Sequence, residues 1–337
     1  MFTRRAFLPL LAAAPAFAQS PLDAGPLEAG PLEASPLEAG WITRVILGGD
    51  VMLSRNVAAR ARAAKDPASP FRDIAPVFAD ADIAFANLES PFSDQGPVMQ
   101  RGMIFKTEPE MIAGLQLAGI DVVSTANNHA RDRGSYGLEF TLDLLARNNI
   151  AAAGTGKTAE AAHAGAVLER NGIRFGFLAY TYDANNGNHK DTDPRVAILD
   201  TEEMVRDVAS IKTRADVVIV SMHAGIEYQP NPSPAQAEFA HAAINAGAQV
   251  VVGHHPHVRQ PWEWYAGGVI FYSLGNLIFD QFQRTETQIG SLAEVVFRDD
   301  RLIQARVHTV NLVGTIPRLA EPVIRPSAST SPAPPKP

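Results

Sequence analysis

The chain has 337 residues, 46% of them hydrophobic and 19% charged, a balance that excludes a disordered polyelectrolyte and leaves enough apolar bulk for one large α/β domain. Its 36 acidic residues outnumber its 29 basic ones, a formal charge of −7, so a broad basic field for nucleic acid is excluded. It has no cysteine, which excludes disulfides, thiolate zinc sites, iron–sulfur clusters, cysteine nucleophiles and a lipid-modified N-terminal Cys.

Residues 1–18, MFTRRAFLPLLAAAPAFA, join a basic start at Arg4 and Arg5 to an apolar run and a small-residue ending at Ala16-Phe17-Ala18. This pattern predicts a secretory signal cut after Ala18. The adjacent arginines before Ala6-Phe7-Leu8 look like a twin-arginine export address, which implies a periplasmic or extracellular destination. An uncleaved anchor is the alternative, but the apolar run is about a dozen residues where roughly 20 are needed to cross a bilayer. No membrane span is expected in the mature chain. Residues 19–40 contain PLDAG, PLEAG, PLEAS and PLEAG; one proline in five forbids a helix and predicts an extended linker reaching up to about 60 Å. A disordered Pro/Ser-rich tail is expected over 316–337, leaving 41–315 as the folded domain.

Within that domain short β-branched runs alternate with amphipathic helical stretches, as in α/β layers. Strands are predicted at Ile42 to Leu47, Asp82 to Ala86, Asp121 to Thr125, Asp216 to Ser221 and Gln249 to Val252. Helices are predicted at Pro109 to Ala118, Leu138 to Asn148, Thr201 to Arg214 and Pro234 to Ala246. Hairpins turning at Asn171-Gly172 and at Asp299-Asp300 make the sheet structure mixed.

Each predicted strand ends in potential ligands: Asp50 after Gly48-Gly49, Asn87 and Glu89, Asn127-Asn128-His129, His223, and His254-His255-Pro256-His257. Ligands of open α/β sheets bind at this carboxyl edge, where the loops diverge. Five of the nine histidines lie in these loops. An oxygen and imidazole set without sulfur suits Mn²⁺, Fe²⁺ or Zn²⁺. Two such ions about 3.5–4 Å apart can hold and activate a water, so a dinuclear hydrolytic centre is expected. His255 and His257 are two residues apart, and Pro256 is expected to bend the chain so that both reach one centre. Simpler roles stand beside these. Asp50 could be a turn residue, Asn127 or Asn128 a helix cap, and His223 a satisfied core histidine. The three imidazoles at 254–257 are hard to bury for packing alone.

The strings GGDVML (48–53), NLESP (87–91), TANNHARDRGSYGL (125–138), AGTG (153–156), MHAGIEYQPNPSPAQ (222–236), GAQVVVGHHPHV (247–258) and YSLGNLIFDQ (272–281) resemble the capsule synthesis protein CapA family, associated with poly-γ-glutamate capsules. The resemblance spans roughly Ile42 to Gln281. It implies kinship with calcineurin-like metallophosphatases, hence an α/β fold: a metallophosphatase-like β-sandwich of mixed sheets flanked by helices. By that resemblance Asp50 is the first-strand metal ligand, Glu89 the bridging carboxylate, Asn128 a ligand and His129 the proton donor to the leaving group. His223, His255 and His257 complete the metal set, with His254 their neighbour outside it.

Two departures stand out: Met52 occupies a position where the superfamily usually has a histidine, which implies that one metal site is weaker or differently occupied, and the bridging residue is Glu where Asp is usual. Arg55, Arg101, Lys106, Arg131 and Arg133 are candidate contacts for an anionic substrate, exposed solvated charge being the simpler reading of each. Asn276 and Asp280 are candidates to orient histidine ligands, while His163, His189, His241 and His308 read as ordinary surface residues. The implied activity is an exported metal-dependent hydrolase acting on an anionic envelope or capsule polymer of the poly-γ-glutamate type, or on a related phosphoester. Its expected partners are the polymer or a small anionic substrate, together with envelope or capsule assembly proteins. The alternatives are a non-catalytic polymer-binding component of capsule assembly or export, and a small-molecule phosphatase.

Overall fold

Residues 40–95, 103–182 and 193–322 are described by a computed structural model. In chain order the strands are β1 (Ile42–Val51), β2 (Ile83–Leu88), β3 (Val122–Ser124), β4 (Ala151–Ala153), β5 (Ala166–Arg170), β6 (Ile173–Thr181), β7 (Val217–His223), β8 (Val250–His254), β9 (Trp262–Tyr265), β10 (Gly268–Phe271), β11 (Asn276–Ile278), β12 (Ile289–Arg298), β13 (Arg301–Val313) and β14 (Ile316–Leu319). The helices are α1 (Arg55–Ala63), α2 (Ala75–Ala79), α3 (Ile112–Ala118), α4 (Gly134–Arg147), α5 (Ala159–Ala164), α6 (Thr201–Ile211) and α7 (Pro234–Ala246).

Two mixed sheets result. One runs β14-β13-β12-β1-β2-β3-β4 with β11 against β1, and the other β5-β6-β7-β8-β10-β9. Strands β1 to β4 are parallel, as are β6, β7, β8 and β10. The period of two along each strand separates three cores. Val45 and Leu47 of β1, Phe85 of β2, Phe177 of β6, Val217 and Ile219 of β7 and Val250 and Val252 of β8 pack between the sheets. Ile46, Ala84 and Ala86 face Phe71, Phe78 and Leu115 on one helical side. Val218, Val220 and Val251 face Met204, Val208 and Phe239 on the other. The architecture is the expected one, a β-sandwich of mixed sheets flanked by helices.

Both predicted hairpins form at their expected turns. Arg170 pairs with Ile173 across Asn171 (φ 54°) and Gly172 (φ 77°), and Arg298 pairs with Arg301 across Asp299 (φ 52°). Helix α7 keeps its predicted bounds: Ser233 closes a capping box with Gln236, Pro234 occupies the first turn and Gly247 ends the helix at φ 111°. Helix α4 starts at Gly134, ahead of the expected Leu138, because successive turns over 127–134 feed the chain directly into it.

Four strands also run further than predicted, β2 among them, which reaches Leu88. β1 continues through Asp50 because Asp50 pairs with Asn87 and Asn276 on either side, while β7 and β8 extend to His223 and His254, which pair with each other. Asp50, Asn87, His223 and His254 therefore sit on strand ends, while Glu89, Asn128, His129, His255 and His257 follow the strands in the adjoining loops. The predicted domain limit at 315 falls short, since Ile316–Leu319 pairs with β13 as an edge strand, where Pro317 is tolerated. The predicted signal at 1–18 and most of the predicted linker and tail lie outside the described residues.

Candidate metal centre

The parallel strands β1, β2, β3, β7 and β8 end along one side of the sandwich, and their carboxyl ends converge there. Asp50 and Glu89 are completely buried, as is His223, and His129, His255 and His257 are nearly so. Single ligand atoms of Asp50, Glu89 and His257 lie within 4.8 Å of one another. Glu89 Oε1 is 3.7 Å from His257 Nε2 and 4.0 Å from the Nε2 atoms of both His223 and His129. Asn128 Oδ1 lies 2.9 Å from His223 Nε2. The His255 ring lies 4.9 Å from that of His223 and 6.0 Å from that of His257. Sequence positions spread over two hundred residues thus share one neighbourhood.

Backbone geometry explains how His255 and His257 both arrive. Their φ angles are 98° and 58°, the left-handed region that side chains other than Gly seldom occupy. These two residues, and not Pro256 alone, turn the chain. His255 N donates to Asp50 Oδ2 at 3.3 Å, which ties the turn to the carboxylate. Close approach of strands also requires two glycines. A Cβ at Gly49 would lie 2.1 Å from the Gly275 carbonyl oxygen, and one at Gly253 would lie 1.9 Å from that of Tyr272.

Electrostatics favours a deprotonated Asp50 and neutral imidazole ligands, and it penalises a charged Glu89 in the absence of a cation. Burial pushes the Asp50 carboxyl up, but the rings of His254 and His257 more than offset this and hold it well below the usual carboxylate range. Glu89 is pushed well above that range, first by burial and then by Asp50. Burial, and then the neighbouring imidazoles, holds His223 well below its ordinary value and His255 down to about 3. Both rings are therefore neutral at physiological pH, the form that ligates metal. Among the described residues neither oxygen of Glu89 has a hydrogen-bond partner, and neither does Nδ1 of His255. A buried carboxylate beside a second one is costly unless positive charge joins them, so the donor set fits a divalent cation.

Asp132 and Phe105 escaped the sequence reading, while Asn87 and Asn127, read there as potential ligands, support their neighbours through hydrogen bonds. Asn87 Nδ2 donates to Asp50 Oδ1 at 2.8 Å and lies 3.3 Å from His223 Nδ1, fixing both. Asn127 donates to the Leu88 carbonyl at 2.9 Å and accepts from His129 N at 3.1 Å. Asp132 sits 2.6 Å from His129 Nδ1 and accepts from Phe105 N, and the Phe105 ring stacks 3.9 Å from that of His129. The spacing of three residues from His129 to Asp132 was the available signal. Asn276 does meet a ligand, with Oδ1 3.0 Å from His257 Nδ1. His254 is wholly buried 3.4 Å from Asp50 and 6.0 Å from the Phe85 ring.

Other candidates lie elsewhere. Asp280 touches no histidine ligand; it pairs with Arg55 at 2.8 Å and accepts from Asn56 N. Arg55 is thereby engaged, as is Arg131, whose Nε lies 3.2 Å from Asp193. Arg133 is buried and donates to the Gln95 carbonyl, so it is a packing residue. Lys106 is half-buried, its backbone N donating to Ser54 Oγ. Arg101 and His189 fall outside the described residues. His163, His241 and His308 are not plain surface residues, since each lies within 2.9 Å of a carboxylate oxygen, of Asp207, Glu263 and Glu294 respectively. Met52 is buried in the helix-side core and its Sδ accepts from Ser54 N.

The model of the family described as bacterial capsule synthesis protein PGA_cap matches residues 44–281. The chain is 35% identical to the PGA biosynthesis protein CapA of Bacillus subtilis (strain 168) over 237 residues, 69% of this chain and 62% of that protein. It is 31% identical to the capsule biosynthesis protein CapA of Bacillus anthracis over 263 residues, 75% of this chain and 63% of that protein. The matches thus leave more than a third of each relative uncovered. A hypothetical protein from Thermus thermophilus shares the fold, with a TM-score of 0.51 and 20% identity over 79% of this chain and 98% of its own.

Proposed function

This chain belongs to the bacterial capsule synthesis protein family PGA_cap, and from that premise we propose that it is an exported, divalent-metal-dependent hydrolase. Its substrate is an amide or ester within an anionic envelope or capsule polymer of the poly-γ-glutamate type, or a related phosphoester. The carrying observation is Glu89, a fully buried carboxylate that has no hydrogen-bond partner among the described residues and is faced by the Nε2 atoms of three histidines at 3.7 to 4.0 Å.

Asp50, Glu89 and His257 would hold one Mn, Fe or Zn ion, and Glu89 with Asn128, His223 and His255 would hold a second. Such ions polarise the bond to be broken and acidify water. His129 is positioned to protonate the departing atom. Asp132 engages its Nδ1, Phe105 covers one ring face, and its Nε2 faces Glu89 across 4.0 Å. The leader at residues 1–18 and capsule assembly partners belong to the same proposal. Among the described residues no helix is long and apolar enough to cross a membrane.

Met52 favours a second reading, a non-catalytic polymer-binding component, because its side chain is engaged in the core where a further ligand would strengthen a second metal site. Elemental analysis of the purified chain against Asp50→Asn and His255→Ala tests the centre, and equal metal in all three would refute it. A screen of γ-glutamyl and phosphoester substrates with Mn²⁺ then separates the readings. Turnover abolished by His129→Ala without loss of metal supports the hydrolase, and a metal-loaded protein inert to every substrate supports the second reading.

A further inference from the structure

We propose that the cleft between Tyr228 and the 281–287 loop is a substrate subsite that receives one side-chain carboxylate of the polymer on Arg284; this rests on the reading above. The cleft has a volume of about 430 Å³ and is lined by Tyr228, Gln281, Gln283, Arg284 and Thr287, large enough for a short polymer segment. None of these residues belongs to the metal set.

Both walls are fastened to the centre. Tyr228 holds a left-handed backbone, φ 65°, and its N donates to the Pro256 carbonyl between His255 and His257 at 2.8 Å. Its ring lies 6.5 Å from the His257 ring. On the opposite wall, Gln281 Oε1 accepts from Asn276 Nδ2 at 3.1 Å, and Asn276 Oδ1 meets His257 Nδ1 at 3.0 Å. The loop itself is pinned, because Thr287 Oγ1 bridges to the carbonyls of Gln281 and Arg284 at 2.8 and 2.9 Å. The cleft therefore borders the metal centre, one residue removed from His257 on each wall.

The recognition chemistry comes from Arg284. Its guanidinium carbon sits 4.6 Å from the centre of the Tyr228 ring, and among the described residues no carboxylate pairs with it, unlike Arg55, Arg131 and Arg195. Stacking orients the guanidinium plane while its N–H edge stays available for a bidentate carboxylate. A single cation between two Gln side chains matches one carboxylate flanked by backbone amides. Glu227, the chain neighbour whose charge acts on the Tyr228 hydroxyl, disfavours a more highly charged group such as a phosphate dianion.

The test uses the manganese-loaded full chain and a synthetic γ-linked tetraglutamate, titrated by calorimetry beside the same oligomer with amidated side chains and beside inorganic phosphate. Wild type should bind the acidic oligomer at least tenfold more tightly than the amidated one. Arg284→Gln should weaken acidic-oligomer binding tenfold or more, with Arg284→Lys and Tyr228→Leu intermediate, while metal content and thermal midpoint stay with wild type. Failure of wild type to bind the oligomer, indifference to amidation, Arg284-dependent preference for phosphate, or Arg284→Gln binding within twofold of wild type would each overturn the subsite. Arg284-dependent binding without cleavage keeps the subsite and removes the hydrolase reading. Cleavage with a KM indifferent to Arg284→Gln does the reverse.

Discussion

Replacing Glu89 by Gln should change stability in opposite directions with and without divalent metal. The ligand atoms of Asp50, Glu89 and His257 fall within 4.8 Å of one another. Two carboxylates at that separation repel by about 3 kcal/mol at an effective dielectric of 20. Burial and Asp50 push the Glu89 carboxyl well above its ordinary range, so protonation already relieves part of this strain. The amide should therefore stabilise the chelator-treated protein by about 1–3 kcal/mol, or roughly 2–10 °C in a domain of this size. With metal at a hundredfold excess over its dissociation constant, wild type gains about 2.7 kcal/mol, most of which the variant forfeits. Differential scanning calorimetry in EDTA and in MnCl₂ should show the order of midpoints reversing. A Gln variant that is less stable than wild type in EDTA would refute the reasoning, because Glu89 would then stabilise the fold without a cation.

Asp132→Ala should leave the buried Phe105 N–H unpaired and unseat His129, lowering unfolding free energy by about 1–3 kcal/mol in urea titrations with little loss of bound metal. Gly253→Ala should be among the most damaging single methyl additions, since its Cβ would lie 1.9 Å from the Tyr272 carbonyl oxygen; a cost of about 3 kcal/mol or more and reduced metal content by elemental analysis are expected. Phe177→Ala, which removes a fully buried ring stacked 6.0 Å from Phe85 between the sheets, should cost about 3–5 kcal/mol, read from the same titrations. Burial pushes the Glu294 carboxyl up, but hydrogen bonds from His308 and Arg44 outweigh it and hold the group below its usual range. Its contribution is therefore present above the unfolded value near 4.3 and is lost as pH falls through the lower folded value. The stability gap between wild type and Glu294→Gln should be constant at neutral pH and close on acidification below about pH 4; a gap that widens there would overturn the assignment.

Much of the fold was legible because its signals are local. The capping box at Ser233 and Gln236 and the Asn171-Gly172 turn are decided by a few adjacent residues, and strand position followed from β-branched runs. Strand length was less legible. Whether β1 stops at Leu47 or continues to Val51 depends on Asn87 and Asn276 as pairing partners, and nothing near Asp50 in the chain announces them. The same holds for β14, whose Pro317 reads as a breaker until β13 lies beside it.

The chemical type of the centre was set by composition and order alone, since oxygen and imidazole donors without sulfur follow several successive strands. Which of these donors meet was decided by tertiary structure. The left-handed backbone at His255 and His257, the engagement of Arg55 with Asp280, the burial of Met52 among helix side chains, and the Asp132 contact to His129 all depend on neighbours distant in sequence or on a turn shaped by them. Residue identity limits what a side chain can donate or accept, whereas direction and desolvation arise only when separate strands pack against one another and exclude water.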